Sequence, residues 1–130
     1  MANARLVLGL DFGTDSVRAL VVDAAGGKEL ATEVVAFPRW KEGRYCDPAR
    51  NQFRQHPLDH IEAVDQAARG ALAKLPAGAA RGVAGIGVDT TGSTPCAVDE
   101  RGTPLALLEP FRENPDAMFV MWKDHTAVAE

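Results

Sequence analysis

Alternating hydrophobic and polar positions near the start of the chain predict three short β-strands. Residues 5–10 are typical of a buried strand, residues 17–23 place Val17 on one face and Arg18 on the other, and residues 29–37 predict a third strand. The intervening segments are a polar turn at residues 11–16 and a glycine-containing turn at residues 24–27. Because no helical pattern separates these strands, we expect an antiparallel meander.

A helical period follows from Pro57, which suits the first turn of a helix. Asp59 and Glu62 lie where the helix dipole favours negative charge. Pro76 and Gly78 end the pattern. The residues predicted to form the apolar face recur at helical spacing and are Ile61, Val64, Ala68, Leu72 and Leu75.

The remaining segments predict shorter elements. Residues 38–56 are expected to be irregular, because prolines and a glycine interrupt them, and their length favours a functional or packed loop. Residues 83–89 predict a fourth, buried strand, residues 96–99 a fifth, and residues 105–108 a short sixth. From residue 118 the pattern is apolar and then helical, and the chain stops inside this predicted helix.

An uncovered apolar stretch is expected at residues 118–122, where the predicted last helix is cut. Exposed patches of this kind favour self-association. The sequence therefore predicts aggregation or a homo-oligomer.

Composition and charge limit the classes of function. Hydrophobic residues make up 46% of the 130, and 36 of them remain when alanine and cysteine are set aside, enough for one modest core. The net charge of −4 and the pI near 5.3 argue against DNA or RNA as a partner. No apolar run has the length of a signal peptide or of a membrane span. These features predict a cytoplasmic protein without a membrane partner.

Cysteine and histidine show no metal-ligand spacing. Cys46 and Cys96 are expected to be reduced thiols. His56 and His60 lie four residues apart and are expected to form a surface pair near the start of the helix, with His125 apart from both.

The first polar turn, Asp11-Phe12-Gly13-Thr14-Asp15-Ser16, is the segment richest in candidate chemistry. A turn of this composition presents main-chain N–H groups and hydroxyls that bind phosphate. Asp11, at the strand end, is placed to hold Mg²⁺ through water, since Mg²⁺ is usually bound by one or two carboxylates plus substrate phosphates. No Gly-Lys-Ser/Thr follows, so this is not a Walker A loop. A solvated β-turn remains the alternative.

The same turn resembles the first phosphate motif of the actin/hexokinase/Hsp70 superfamily. That resemblance implies an α/β fold of the ribonuclease-H-like type, with a mixed sheet, an antiparallel three-strand meander and flanking helices. Further stretches resemble bacterial L-ribulokinases of the FGGY family of carbohydrate kinases, namely residues 45–48, 51–57, 87–95 and 114–127. Other FGGY kinases usually have Asp followed by Arg or Gly-Arg after the tryptophan, where this chain has Asp124-His125-Thr126.

The resemblance implies two groups of site residues. Those for the ATP phosphates and Mg²⁺ are Asp11, Gly13, Thr14, Ser16 and Arg18, with Arg18 stabilising charge. Those for the sugar are Gly92, Ser93, Trp122, Lys123 and Asp124, with the Trp122 ring packing on the sugar. Asp89 matches a strand-end acid that faces the cleft. A surface-paired Arg18, a turn-forming Ser93, a core Trp122 and an Asp89 that holds its own turn remain as alternatives.

The implied function is that of a partial enzyme. Residues 1–130 would be part of an FGGY N-terminal, sugar-binding domain, with the C-terminal nucleotide-binding domain absent. The parent would transfer the γ-phosphoryl group of ATP to the 5-hydroxyl of L-ribulose in arabinose catabolism, with Mg²⁺. The catalytic base is expected beyond Glu130, so this chain alone is expected to be inactive. The alternatives are an FGGY kinase for another ketopentose or a pentitol, and a non-catalytic nucleotide-binding module of the superfamily.

Overall fold

The computed structural model describes residues 5–129, which form two compact units. The first unit comprises the described residues up to Ala36 and residues 62–90; the second comprises residues 37–61 and the described residues from 91 onward. The strands are β1 (Leu6–Phe12), β2 (Ser16–Asp23), β3 (Lys28–Ala36), β4 (Cys46–Asp47), β5 (Gln52–Gln55), β6 (Val83–Asp89) and β7 (Phe119–Val120). The helices are α1 (Pro38–Lys41) and α2 (Pro57–Ala73), with 3₁₀ turns at Pro48–Arg50, Ala79–Gly82, Leu105–Leu107 and Pro115–Ala117.

The first unit contains a four-stranded sheet in the order β3-β2-β1-β6. Strands β1, β2 and β3 pair antiparallel, and β6 pairs parallel to β1. The predicted meander and the predicted mixed sheet are therefore confirmed. The α/β class is confirmed as well, because helix α2 precedes β6 in the chain and β6 pairs parallel to β1.

One face of this sheet carries the apolar core of the first unit, and α2 lies close to it. Five fully or almost fully buried residues on adjacent strands are Leu6, Leu8, Val17, Ala19 and Val21. The approach of α2 is close at Gly70, where an added Cβ would lie 2.8 Å from Cγ of Glu33. Lys74 Nζ lies 2.6 Å from Oε2 of the same Glu33.

The buried face of α2 differs from the predicted one. Ala63, Ala67 and Ala71 are buried, whereas Ile61, predicted to lead the apolar face, is 49% exposed. Alanines spaced four residues apart lie on one side of a helix. Their small side chains allow the close approach seen at Gly70. The other four predicted residues, Val64, Ala68, Leu72 and Leu75, are half-buried, so the predicted stripe lies beside the buried alanines and is wrong only at Ile61.

Strand β6 was predicted to be buried, and this is wrong. Ile86 is 65% and Val88 62% exposed. In the described sheet, β6 pairs with β1 and lies at the edge. Its apolar sequence therefore lacks cover within the first unit.

The second unit contains a small antiparallel sheet in the order β4-β5-β7. The segment 38–56, predicted to be irregular, contributes α1, β4, β5 and a 3₁₀ turn to it. Ala106, Ala117 and Met118 form a buried cluster against which Tyr45 packs. The prediction of a packed loop is thus confirmed, and the prediction of irregularity is wrong.

Three further predicted elements are wrong. Residues 96–99 form only an isolated bridge from Val98 to Pro104, because Asp99 Oδ1 accepts the N–H groups of Arg101 and Thr103 and so makes a local turn. Residues 105–108 form a 3₁₀ turn instead of a strand. The predicted last helix is replaced, as far as residue 129, by β7 and turns; Glu130 lies outside the described residues.

The apolar stretch at residues 118–122 is mostly covered. Met118 and Met121 are buried, and Trp122 is 56% exposed. The prediction that this stretch is uncovered is therefore wrong, and the stretch does not support the expected self-association. Cys46 and Cys96 are free thiols, as predicted. Among residues 5–129, no helix combines the length and apolar character needed to cross a bilayer.

Candidate phosphate-binding and sugar-binding regions

The first candidate region is the turn that joins β1 to β2. The Gly13 N–H donates to the Ser16 carbonyl at 2.8 Å, which closes the turn. A Cβ at Gly13 would lie 3.4 Å from that carbonyl oxygen, which is an ordinary van der Waals distance. Thr14 and Asp15 consequently occupy the tip, between two strand ends fixed by sheet pairing.

A row of three charged side chains lies beside this turn. Asp11 on β1 is directly opposite Arg18 on β2 and Asp89 on β6. Residues directly opposite each other project to the same face of a sheet. All three residues are exposed, so the row presents two carboxylates and one guanidinium to solvent.

The row borders a groove of about 410 Å³. Its floor includes Gly9 and Gly87, which pair with each other, and a Cβ at Gly87 would meet nothing within 4 Å. Main-chain atoms therefore line part of the groove. The full lining is Gly9, Leu10, Asp11, Arg18, Leu20, Gly87, Val88 and Asp89.

The donor set in this groove fits Mg²⁺ bound chiefly by a substrate. Within residues 5–129, no cluster of three or more His, Cys, Asp or Glu side chains is arranged to hold a metal by itself. Asp11 and Asp89 offer two carboxylates, and Mg²⁺ usually takes one or two carboxylates together with substrate phosphates and water. Asp89 also accepts the Thr90 N–H at 3.0 Å, which holds its carboxylate at the strand end.

In the second unit, Gly92 and Ser93 lie in an exposed bend. Ser93 has φ of 50°, in the left-handed region that few residues other than glycine adopt. The Thr94 hydroxyl donates to the Gly92 carbonyl at 2.9 Å. The bend is thus locally ordered, and its serine hydroxyl is accessible.

Trp122 and Lys123 occupy the centre of a tight turn, residues 121–124, which we call the tryptophan turn. The Asp124 N–H donates to the Met121 carbonyl at 2.9 Å and closes it. Lys123 Nζ lies 4.6 Å from the Phe53 ring centroid and 5.1 Å from that of Trp40. Trp122, at 56% exposure, is not a core residue.

Asp124 is the most strongly held of the predicted sugar-site residues. Its side chain is 2% exposed and accepts hydrogen bonds from Arg54 Nε and the Phe53 N–H, both at 2.8 Å. The Thr126 N–H and hydroxyl donate to its other oxygen. Desolvation raises the pKa of this carboxyl, but the hydrogen bonds from Arg54, Phe53 and Thr126 lower it by more than desolvation raises it. The pKa of Asp124 therefore lies well below its ordinary value.

The sequence prediction for the two histidines is wrong. His56 is 2% exposed, and its Nε2–H donates to the Arg112 carbonyl at 2.9 Å. The His60 ring stacks between Phe37 and Phe119, with centroid distances of 4.7 and 4.5 Å. Burial lowers the pKa of His60 to about 4. Both rings are therefore interior groups and not a surface pair.

Sequence reasoning also missed the buried charges Arg54 and Asp59. Asp59 was assigned only a helix-dipole role, but its side chain is fully buried and pairs with Arg39 at 2.9 Å. It also accepts the Trp40 N–H at 3.0 Å. The one available signal was the largely polar run at residues 52–56, which has no hydrophobic period and yet forms β5 and the residue before α2, with its last three residues buried.

Comparison with known proteins gives a consistent result. The chain is 57% identical over 124 residues to a protein of Vibrio parahaemolyticus named ribulokinase, covering 95% of this chain and 22% of that protein. It is 35% identical to the ribulokinase of Halalkalibacterium halodurans and 34% identical to that of Mycolicibacterium smegmatis, covering 95% of this chain and 23% of the relative in each case. The chain thus spans somewhat more than a fifth of the length of these relatives. No family model matches it.

Proposed function

Because this chain is homologous to bacterial ribulokinases, where it corresponds to an N-terminal segment, we propose that it forms part of the sugar-binding domain of an ATP-dependent L-ribulokinase. The proposed reaction transfers the γ-phosphoryl group of ATP to the 5-hydroxyl of L-ribulose, in the cytoplasm. The proposed fold is that of the ribonuclease-H-like sugar kinases, with β1, β2, β3 and β6 as part of its sheet.

The observation that carries this proposal is the aligned row of Arg18, Asp11 and Asp89 beside the Gly13–Ser16 turn. The Arg18 guanidinium beside this tight turn suits the oxygens of a polyphosphate. Mg²⁺, when bound with ATP, would neutralise charge on the phosphates. Asp11 is the residue that would hold it, through water.

The sugar is proposed to contact the second unit. Trp122 offers a partly exposed indole, and Ser93 offers a hydroxyl on an exposed bend. Lys123 and Gly92 belong to the same proposed site. Asp124 is proposed to act on the sugar site by holding the tryptophan turn, because its oxygens already accept four hydrogen bonds within the second unit.

A segment exchange tests the proposal. This chain replaces the matching segment of the Vibrio parahaemolyticus ribulokinase, and ADP formation is measured with and without L-ribulose. We expect the chimera to retain L-ribulose-dependent activity. Asp11→Asn in the chimera is expected to lower kcat about 10- to 100-fold, as removal of a group acting on a metal through an intermediate ligand does. Asp65→Asn, an exposed carboxylate on α2, is the matched control.

Two results would count against the proposal. A well-folded chimera without L-ribulose-dependent ADP formation would reject the assignment to ribulokinase, and an Asp11→Asn chimera with the activity of the control would reject the phosphate-site role. For the 130-residue chain alone, we expect ADP formation equal to the blank, because the proposed catalytic base belongs to the part of the relatives that this chain does not cover.

A further inference from the structure

Arg54 joins three separate segments of the second unit. Its residue exposure is 6%, and its guanidinium donates from all three nitrogens. Nε donates to Asp124 at 2.8 Å, and Nη2 donates to the Thr126 hydroxyl at 3.1 Å. Nη1 donates to the Pro115 carbonyl and to Asp116, each at 3.0 Å. A buried guanidinium with this many partners defines their relative positions, because its donors are planar and rigid.

The tryptophan turn is held at both ends by the same strand. On one side, the Met121 N–H donates to the Phe53 carbonyl at 3.1 Å. On the other, Asp124 accepts the Phe53 N–H and the Arg54 Nε–H. Beyond the turn, the His125 N–H donates to the Asn51 carbonyl at 2.9 Å. The two central residues, Trp122 and Lys123, therefore lie in a short turn whose first and last residues are both hydrogen-bonded to β5.

We propose that Arg54 is a positioning residue of the sugar site, which fixes the orientation of Trp122 and Lys123 through its hydrogen bond to Asp124. This inference rests on the proposed function for its sugar, but its geometric part concerns the turn alone. Arg54 is too deeply buried to touch a ligand, so its effect passes through Asp124. Without it, the buried carboxylate loses its cationic partner. The second end of the turn then keeps only the neutral hydrogen bonds from the Phe53 N–H and from Thr126, together with the bond from His125 to Asn51.

The NMR shift of the Lys123 side chain measures the orientation of the turn, and it can be measured in the 130-residue chain without the rest of the enzyme. The Lys123 ammonium lies over the rings of Phe53 and Trp40, so ring currents shift the NMR signals of its terminal CH₂ group. A substitution that only lowers stability leaves this shift unchanged in the folded population. A substitution that releases the turn removes most of it.

The test compares Arg54→Gln and Arg54→Lys with Asp116→Asn. Asp116 binds the same guanidinium, but its side chain is 84% exposed and lies outside the turn, so it is the matched control. We expect Arg54→Gln to remove most of the Lys123 shift, Arg54→Lys to retain part of it, and Asp116→Asn to leave it unchanged. If Arg54→Gln does not fold, Asp124→Asn, which keeps the shape of the side chain but removes the charge that Arg54 Nε binds, is read in the same way and is expected to reduce the shift.

A folded Arg54→Gln protein with the wild-type Lys123 shift would overturn the inference, as would an unchanged shift in Asp124→Asn if Arg54→Gln is unfolded. An equal loss in Asp116→Asn would also overturn it, since the effect would not pass through Asp124. L-ribulose titration, followed at the Trp122 indole in the chimera described above, separates the two proposals. Release of the turn together with no response of wild-type Trp122 to L-ribulose would reject the sugar site and leave the positioning role standing.

Discussion

The two units use different interactions to bury their interiors. In the first unit, the buried strand residues include Leu8, Val17 and Val21, and the buried face of α2 consists of alanines. In the second unit, the buried residues include Arg54, Gln55, His56 and Asp59. Within residues 5–129, no buried side-chain nitrogen or oxygen lacks a hydrogen-bond partner. The first interior is therefore held by apolar packing, whereas the second combines an apolar cluster with a network of directional hydrogen bonds.

The difference bears on how each unit can carry a site. The charged row of the first unit stands on a sheet whose packing does not involve it, so its side chains are open to a ligand. In the second unit, Asp124 belongs at once to the proposed sugar site and to the buried polar network. Apolar interiors tolerate substitutions that conserve volume. Buried polar networks lose far more when one partner is removed.

The largest expected effect is at Asp59. Asp59→Ala leaves the Arg39 guanidinium and the Trp40 N–H without their buried acceptor, so we expect it to lower the free energy of unfolding by about 3 to 5 kcal/mol. Urea denaturation measures this loss. Asp65→Ala on the same helix removes an exposed pair with Arg69, and its expected cost is below about 0.5 kcal/mol. Equal losses of stability for the two variants would show that the buried charges of the second unit matter no more than an exposed ion pair of the first.

The second effect is a dependence of stability on pH. Burial lowers the pKa of folded His60 to about 4, below the ordinary value of 6.5, so the unfolded chain takes up the proton first as the pH falls. The stability contributed by neutral His60 is complete above pH 6.5 and is lost as the pH falls toward 4. Between pH 7 and 4.5 the expected loss is about 2 to 3 kcal/mol.

Denaturation of the wild-type protein and of His60→Phe at both pH values isolates this contribution. The phenyl ring can stack between Phe37 and Phe119 but does not titrate. We expect the variant to lose less stability than the wild-type protein over this range. An identical loss would assign the pH dependence to other groups, of which His56, with its pKa also lowered by burial, is the first candidate.

The third effect concerns the alanine face of α2. Ala67 is fully buried, so Ala67→Leu overfills the space and is expected to lower the free energy of unfolding by about 1 to 3 kcal/mol. Ile61→Ser, at the exposed isoleucine, is expected to change it by less than about 0.5 kcal/mol. Thermal or urea denaturation measures both changes. A larger loss of stability for Ile61→Ser than for Ala67→Leu would support the helix face predicted from the hydrophobic period.

The smallest effect is at Gly70. In the Glu33→Ala background, Gly70→Ala is expected to stabilise by about 1 kcal/mol through helix propensity. In the wild-type protein the new methyl group would lie 2.8 Å from Glu33 Cγ, which cancels the gain. A double-mutant cycle measures this coupling. Additive effects of the two substitutions would show that the close approach carries no energetic cost.

The two units also differ in how well the sequence predicted them. The meander and the turn at residues 11–16 follow from strand alternation and glycine-containing turns, and both are confirmed. The packed segment at residues 38–56 resisted prediction because its strands are two to four residues long and its burial rests on hydrogen bonds between positions far apart in the chain. Arg54 bonds to residues 61 to 72 positions away, and no local period reports such contacts.

The site residues show the same division. Hairpin spacing and the resemblance together predicted Asp11, Gly13 and Ser16 on one turn, where the structure places them. Their role in phosphate binding stays a prediction. The anchoring of Asp124 by Arg54 could not be predicted, because it depends on the three-dimensional meeting of β5 with the segment after β7.

The exposed edge of β6 has a practical consequence for work with this chain. The Ile86 and Val88 side chains are exposed to solvent. Because β6 lies at the edge of the sheet, its outer N–H and C=O groups can pair with a strand of another molecule. Long storage at high concentration therefore favours edge-to-edge joining of molecules at β6. A lysine at position 86 or 88 is the remedy by which natural sheets protect such edges.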